Sequence, residues 1–100
     1  MRQLILVAAL TALPAPMALA GPIERACNTS GRAASQRLCS CIQQAADLTL
    51  TQRDQTRAAK FFRDPHQAQE IRQSDRRSDE AFWQRYRAFG DTAEAFCGGA

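Results

Sequence analysis

Hydrophobic residues in this chain recur at helical intervals and nowhere alternate with a period of two. Leu38, Cys41, Ile42, Ala45, Leu48 and Thr49 fall three or four residues apart. This spacing predicts a helix over about 33–49 with those side chains inward. Thr51, with Asp54 three residues on, has the form of a capping box in which aspartate takes the acidic role. It predicts a second helix, roughly 52–63, burying Ala58, Ala59 and Phe62. Asp64-Pro65 is a further start: aspartate caps, proline fits the first helical position and Gln67 sits three residues after the cap. The pattern from Pro65 to about Cys97 is helical. Its continuity is left open by Ser78, Asp79 and Glu80, which read as a fresh start with acids in the first turn. Beyond them Phe82, Tyr86, Phe89, Ala93 and Phe96 lie on one stripe. Gly90 is expected to end that helix, with Asp91 and Glu94 recapping a short last one near Cys97. Gly21 to Gly31 shows no clear period, so an irregular arm tied down by Cys27 is expected. The predicted fold is all-α, a small disulfide-stabilised helical bundle of three to five short helices.

The N-terminal segment has a different pattern. Arg2 is followed by an apolar run from Leu4 to Leu13, broken only by Thr11, and Pro14 and Pro16 end any helix there. Ala18-Leu19-Ala20 supplies the small-x-small pattern that a signal peptidase reads. Residues 1–20 are therefore expected to be a cleaved signal peptide and 21–100 a single helical domain. The run is shorter than the roughly 20 residues of a membrane span. No cysteine follows Ala20 directly, so no lipid anchor is expected there. No later stretch is apolar enough to span a bilayer. The expected location is the periplasm or the exterior.

Removing residues 1–20 from 100 leaves 80, near the size at which one core is marginal without staples. Two lobes closing on a ligand do not fit. The loss of Arg2 takes the 13 basic side chains to 12, against 10 acidic ones. Lys60 is the only lysine. Charges interleave, as in Arg76-Arg77-Ser78-Asp79-Glu80, which suits solvated helical faces and not a nucleic-acid surface.

Four cysteines in an exported chain read as two bridges, with three pairings open. Cys39 and Cys41 are two apart on a predicted helix. Their side chains diverge by roughly 160° and cannot bridge each other without unwinding it. Cys41 shares the face of Leu38 and Ile42, and Cys97 flanks the aromatic stripe, so Cys41–Cys97 with Cys27–Cys39 is preferred. Two sharper readings compete. Cys39-Ser40-Cys41 near Arg37 has the composition of a thiol-redox pair, but no thioredoxin-like strand pattern surrounds it. Copper or zinc binding would draw on the cysteines and His66, whose spacing matches no familiar zinc signature. His66 is the sole histidine and is placed in an exposed first turn, which gives a Ser/His/Asp relay little to build on. Asp75, Asp79 and Glu80 read as solvated charges at a helix N-terminus, and Gly98 and Gly99 as a frayed end. No catalytic residue, metal site or cofactor is assigned, and an enzyme is not expected.

The aromatic stripe is expected to be core. Trp83 lies about 100° off it, beside Gln84 and Arg85, and Phe61 beside Phe62 raises the same question. If Trp83 and Phe61 are exposed and adjacent they form a candidate partner surface, since tryptophan and arginine are favoured interface anchors.

Gly21-Pro22-Ile23-Glu24-Arg25-Ala26-Cys27, Cys39-Ser40-Cys41-Ile42-Gln43-Gln44, Phe61-Phe62-Arg63-Asp64-Pro65 and the stretch from Phe82-Trp83 to Gly90 together resemble a family of small exported alphaproteobacterial proteins. Some of its members carry the label "arginine transporter". The resemblance covers most of residues 21–100, reinforces export and carries over no functional residue. A transporter would need a spanning segment, and 80 residues cannot form a two-lobed solute receptor. The leading expectation is a non-enzymatic module that binds a protein or another envelope component. The alternatives are small-ligand or metal binding, including accessory work in amino-acid uptake, and thiol-redox activity at Cys39 and Cys41.

Overall fold

Helix start signals divide the chain much as the sequence predicts, with a helix gained before Gly31 and the expected break at Gly90 absent. In a computed structural model the described residues are 20–31 and 35–98. Their elements are five helices: α1 Pro22–Thr29, α2 Gln36–Thr49, α3 Gln52–Arg63, α4 His66–Arg72 and α5 Arg77–Cys97. The signal segment lies outside the described residues except for Ala20, as does Gly99. No strand occurs among the described residues, and no helix of theirs is long and apolar enough to cross a membrane.

Three helix entries have a local side-chain cause. The Leu38 amide donates to Ser35 Oγ at 3.0 Å, starting α2. Thr51 and Asp54 form the capping box of α3, the Asp54 amide reaching Thr51 Oγ1 at 3.1 Å and the Thr51 amide reaching Asp54 Oδ2 at 3.3 Å. The Asp64 carboxylate accepts from the His66 amide and from the Gln67 side chain, one residue before the helical geometry of α4 begins. A break at 73–76 separates α4 from α5, which resolves the continuity of that region.

The segment expected to be an irregular arm is helix α1. Its signals were Pro22 at the first helical position, Glu24 in the first turn and the i, i+4 pair Ile23 and Cys27, both buried. Gly31 ends it in the left-handed conformation, with φ of 77°. The second correction is Gly90, which terminates nothing: α5 runs through it to Cys97. An interior glycine costs a helix about 1 kcal/mol. Here α5 is held by packing on both sides of it, through Phe89 and Cys97.

The core joins Ile23 of α1, Ala45, Ala46 and Leu50 at and after α2, Ala58 and Phe61 of α3, and Phe82 and Phe89 of α5. α2 packs against both α1 and α5, and α1 also packs on α3. The alanines on α2 and α3 let backbones approach, and α5 supplies the bulk. Phe61 meets Phe82 and Tyr86 edge-on at 6.0 and 5.2 Å between ring centroids. Arg57 lies over the Phe82 ring at 4.7 Å.

Candidate functional site

Two bridges clamp α2 from opposite sides. Cys27 of α1 is joined to Cys39, and Cys41 to Cys97 at the end of α5. The divergence of residues two apart on a helix sends one sulfur toward α1 and the other toward α5. Cys39 is fully buried and Cys41 only partly, the reverse of the expected polarity of that face. No free cysteine occurs among the described residues. A redox couple at Cys39 and Cys41 would need both bridges opened first, because each sulfur is bonded elsewhere.

The buried face of α2 is rotated from the one predicted. It is centred on Cys39, Gln43, Ala46 and Leu50, and Leu48 stands 74% exposed. The cause is a polar cluster that hydropathy places outside. Gln43 Nε2 donates to Gln55 Oε1 at 2.7 Å and to Asp47 Oδ1 at 2.9 Å, while Gln55 Nε2 donates to Asp47 Oδ1 at 3.2 Å. Gln43 Oε1 accepts the Glu24 amide at 2.9 Å, so a side chain of α2 satisfies a free donor at the start of α1. The Gln43 amide also fills the space a Cβ would need at Gly21, the N-cap of α1. With all these groups paired, burying two glutamines is tolerated.

α3 is turned as well. Phe61 is buried at 6% exposure and Phe62 only partly covered, the reverse of the predicted order. Trp83 is half-buried and packs on Tyr86 at 5.3 Å, continuing the cluster that holds Phe61. Trp83 and Phe61 therefore form no exposed patch. Phe96, expected in the core, is 73% exposed. The contacts of α3 with α5 fall between Asp79 and Tyr86, well short of the last turn. The bridge there turns Cys97 inward, and Phe96 lies about 100° from it.

Two carboxylates read as solvated or merely capping are buried and tie α3 to α5. Arg85 donates from Nε to Asp54 Oδ2 at 2.7 Å and from a second nitrogen to Oδ1 at 3.0 Å. Asp79 accepts from the Ser74 hydroxyl at 2.6 Å and from the Arg57 guanidinium. The hydrogen bond from Arg85 holds the Asp54 carboxyl below its ordinary range, and those from Ser74 and then Arg57 do so for Asp79. A carboxylate with a lower pKa folded than unfolded binds fewer protons in the folded state, so stability rises with pH across the acid range. Its contribution is complete above the ordinary carboxylate pKa of about 4 and is lost as pH falls through the folded value. Urea denaturation at pH 7 and pH 3 is expected to show this loss, with a shallower pH slope for Asp54→Asn. An unchanged slope in that variant would remove Asp54 from the account.

His66 is exposed and faces Glu70 at 3.4 Å. Among the described residues no group of three or more His, Cys, Asp or Glu side chains is placed to hold a metal ion. Trp83 borders a shallow cleft between α4 and α5 that also presents Arg72, Asp75 and Glu80, so both charge signs meet there. No family model, curated protein or solved structure matches the chain.

Proposed function

We propose that the protein is an exported, non-enzymatic helical module that works by binding another protein of the envelope or exterior. The observation that carries this reading is the pair of large apolar side chains left in water, Leu48 at 74% and Phe96 at 73%, in a chain whose other large apolar side chains, among the described residues, are buried or partly covered. They stand on α2 and α5, the pair of helices joined by the Cys41–Cys97 bridge. A rigid, covalently tied pair of helices loses little conformational freedom on association, which favours affinity. The N-terminal pattern and the two disulfides support an oxidising destination.

Photocrosslinking in the exporting cell tests it. A photoreactive residue placed at Leu48 or Phe96 is expected to give a discrete adduct with the processed chain, and one at Arg53 none. Leu48→Ser with Phe96→Ser should abolish capture while moving stability by no more than about 0.5 kcal/mol, as expected of exposed positions. Adducts of equal yield at all three positions would sink the proposal.

A further inference from the structure

We propose that the groove between α1 and α3 is a binding site for a small soluble phosphate or diphosphate ester. The proposal goes beyond the protein-binding reading and does not depend on it. The groove is open to solvent and has a volume of about 470 Å³, within the range of small-ligand sites. Arg25 lines it from α1, and Lys60 and Arg63 from α3. Ala26 and Ala59 are among the side chains that give it a short apolar lining.

Two observations point to an anion. None of the three cations has a carboxylate within ion-pair distance among the described residues, where the ion pairs are Arg57–Asp79, His66–Glu70 and Arg85–Asp54. The two hydroxyls of the groove, Thr29 and Thr56, donate to carbonyls of their own helices, at 2.8 Å to Arg25 and at 3.1 Å to Gln52. The side-chain donors left to a ligand are therefore the cations alone. The helix dipole by itself favours Lys60 and Arg63, which sit in the last turn of α3. That explanation does not extend to Arg25, in the middle of α1.

Donor number then selects the anion. Two guanidinium forks and an ammonium offer more N–H groups than the two oxygens of a carboxylate can take up, whereas a phosphate or diphosphate has enough acceptors. From Thr56 to Arg63 the lining of α3 runs two helical turns, about 10 Å. That length suits a small ester. The apolar part of the lining, Pro22, Ala26 and Ala59, has no large side chain to hold an acyl chain, and cations gathered around a concavity suit a discrete ligand better than a flat membrane. In the full chain Arg25 donates to the carbonyl oxygen of Ala20. Cleavage after Ala20 would remove that acceptor and leave the guanidinium to the groove.

Calorimetric titration of the processed, oxidised protein with inorganic pyrophosphate and with phenyl phosphate tests the site. One-to-one binding that weakens as salt rises is expected. The variant Arg25→Gln/Lys60→Gln/Arg63→Gln should bind at least about 10-fold more weakly, with its circular dichroism unchanged because these side chains line an open groove. The matched variant Arg53→Gln/Arg72→Gln/Arg87→Gln, neutralised elsewhere, should bind like the parent. Any of three results would overturn the proposal: no binding of either probe at millimolar concentration, equal loss in the two triple variants, or tighter binding of a polyglutamate peptide or of phosphatidylglycerol vesicles.

Discussion

Replacing Cys41 and Cys97 together by serine is expected to cost the protein about 4 kcal/mol of stability. Their bridge spans 56 residues, and the chain-entropy relation gives a loop of that length a stabilisation of this order. The Cys27–Cys39 bridge spans 12 residues, and the same relation gives it about 3 kcal/mol. A domain of roughly 80 residues has a total stability of about 4–12 kcal/mol. Loss of the longer bridge should therefore leave much of the protein unfolded near 37 °C, while loss of the shorter one leaves a weakened fold. Urea denaturation of the two double variants against the parent measures both. A cost below about 1 kcal/mol for the Cys41/Cys97 variant would mean that packing of α2 on α5 holds the bundle without the staple. The reverse order of the two costs would mean that α1, not α5, is the element whose attachment matters most.

Phe82→Ala carries the next largest expected effect, about 3–5 kcal/mol. Phe82 is 1% exposed, stacks with Tyr86 at 5.9 Å, meets Phe61 edge-on and lies under the Arg57 guanidinium. Truncation removes one of the two aromatic contacts of α3 with α5, leaving that of Phe61 with Tyr86, and opens a cavity that an α-helical backbone held at Cys97 cannot readily close. It also strips the stacking surface from Arg57, which still has to pair with Asp79. Phe82→Leu keeps most of the volume and should cost less than half as much. Chemical denaturation followed by the fluorescence of Trp83, the adjacent residue, reads both variants. Equal costs for Ala and Leu would show that ring contacts, and not filled volume, account for the loss.

The helix starts were the most legible part of the fold because they depend on contacts three residues apart. Thr51 with Asp54, and Asp64, act on amides within their own first turn. Ser35 does the same for α2, two residues beyond the expected start near Ala33. The divergence of Cys39 and Cys41 was legible for the same reason, since it follows from helical pitch alone. The candidate surface was not. Helical spacing puts Leu48 and Phe96 inside and makes Phe61 a candidate for an exposed patch, because it takes an apolar stripe to face the core. The facing of α2 and α3 is decided instead by Gln43, Gln55 and Asp54, whose hydrogen bonds reach other helices. A polar residue is buried only where a partner meets it, and those partners lie 12 to 31 residues away along the chain. The cations of the α1–α3 groove were invisible for a related reason. Arg25 and Arg63 lie far apart along the chain and meet only once α1 is docked on α3.

The sequence by itself determined that the chain is helical, where most of its helices begin, that its charges are dispersed, and that Cys39 and Cys41 must take different partners. These are consequences of periodicity, capping and pitch, which act within a few residues. Only the tertiary structure decided which face of each helix is inward, that Gly90 continues a helix, and that Asp79 is buried. It also decided which cations share a groove and which apolar side chains remain in water. Those outcomes depend on how distant polar groups satisfy one another once buried, and that balance is struck between helices.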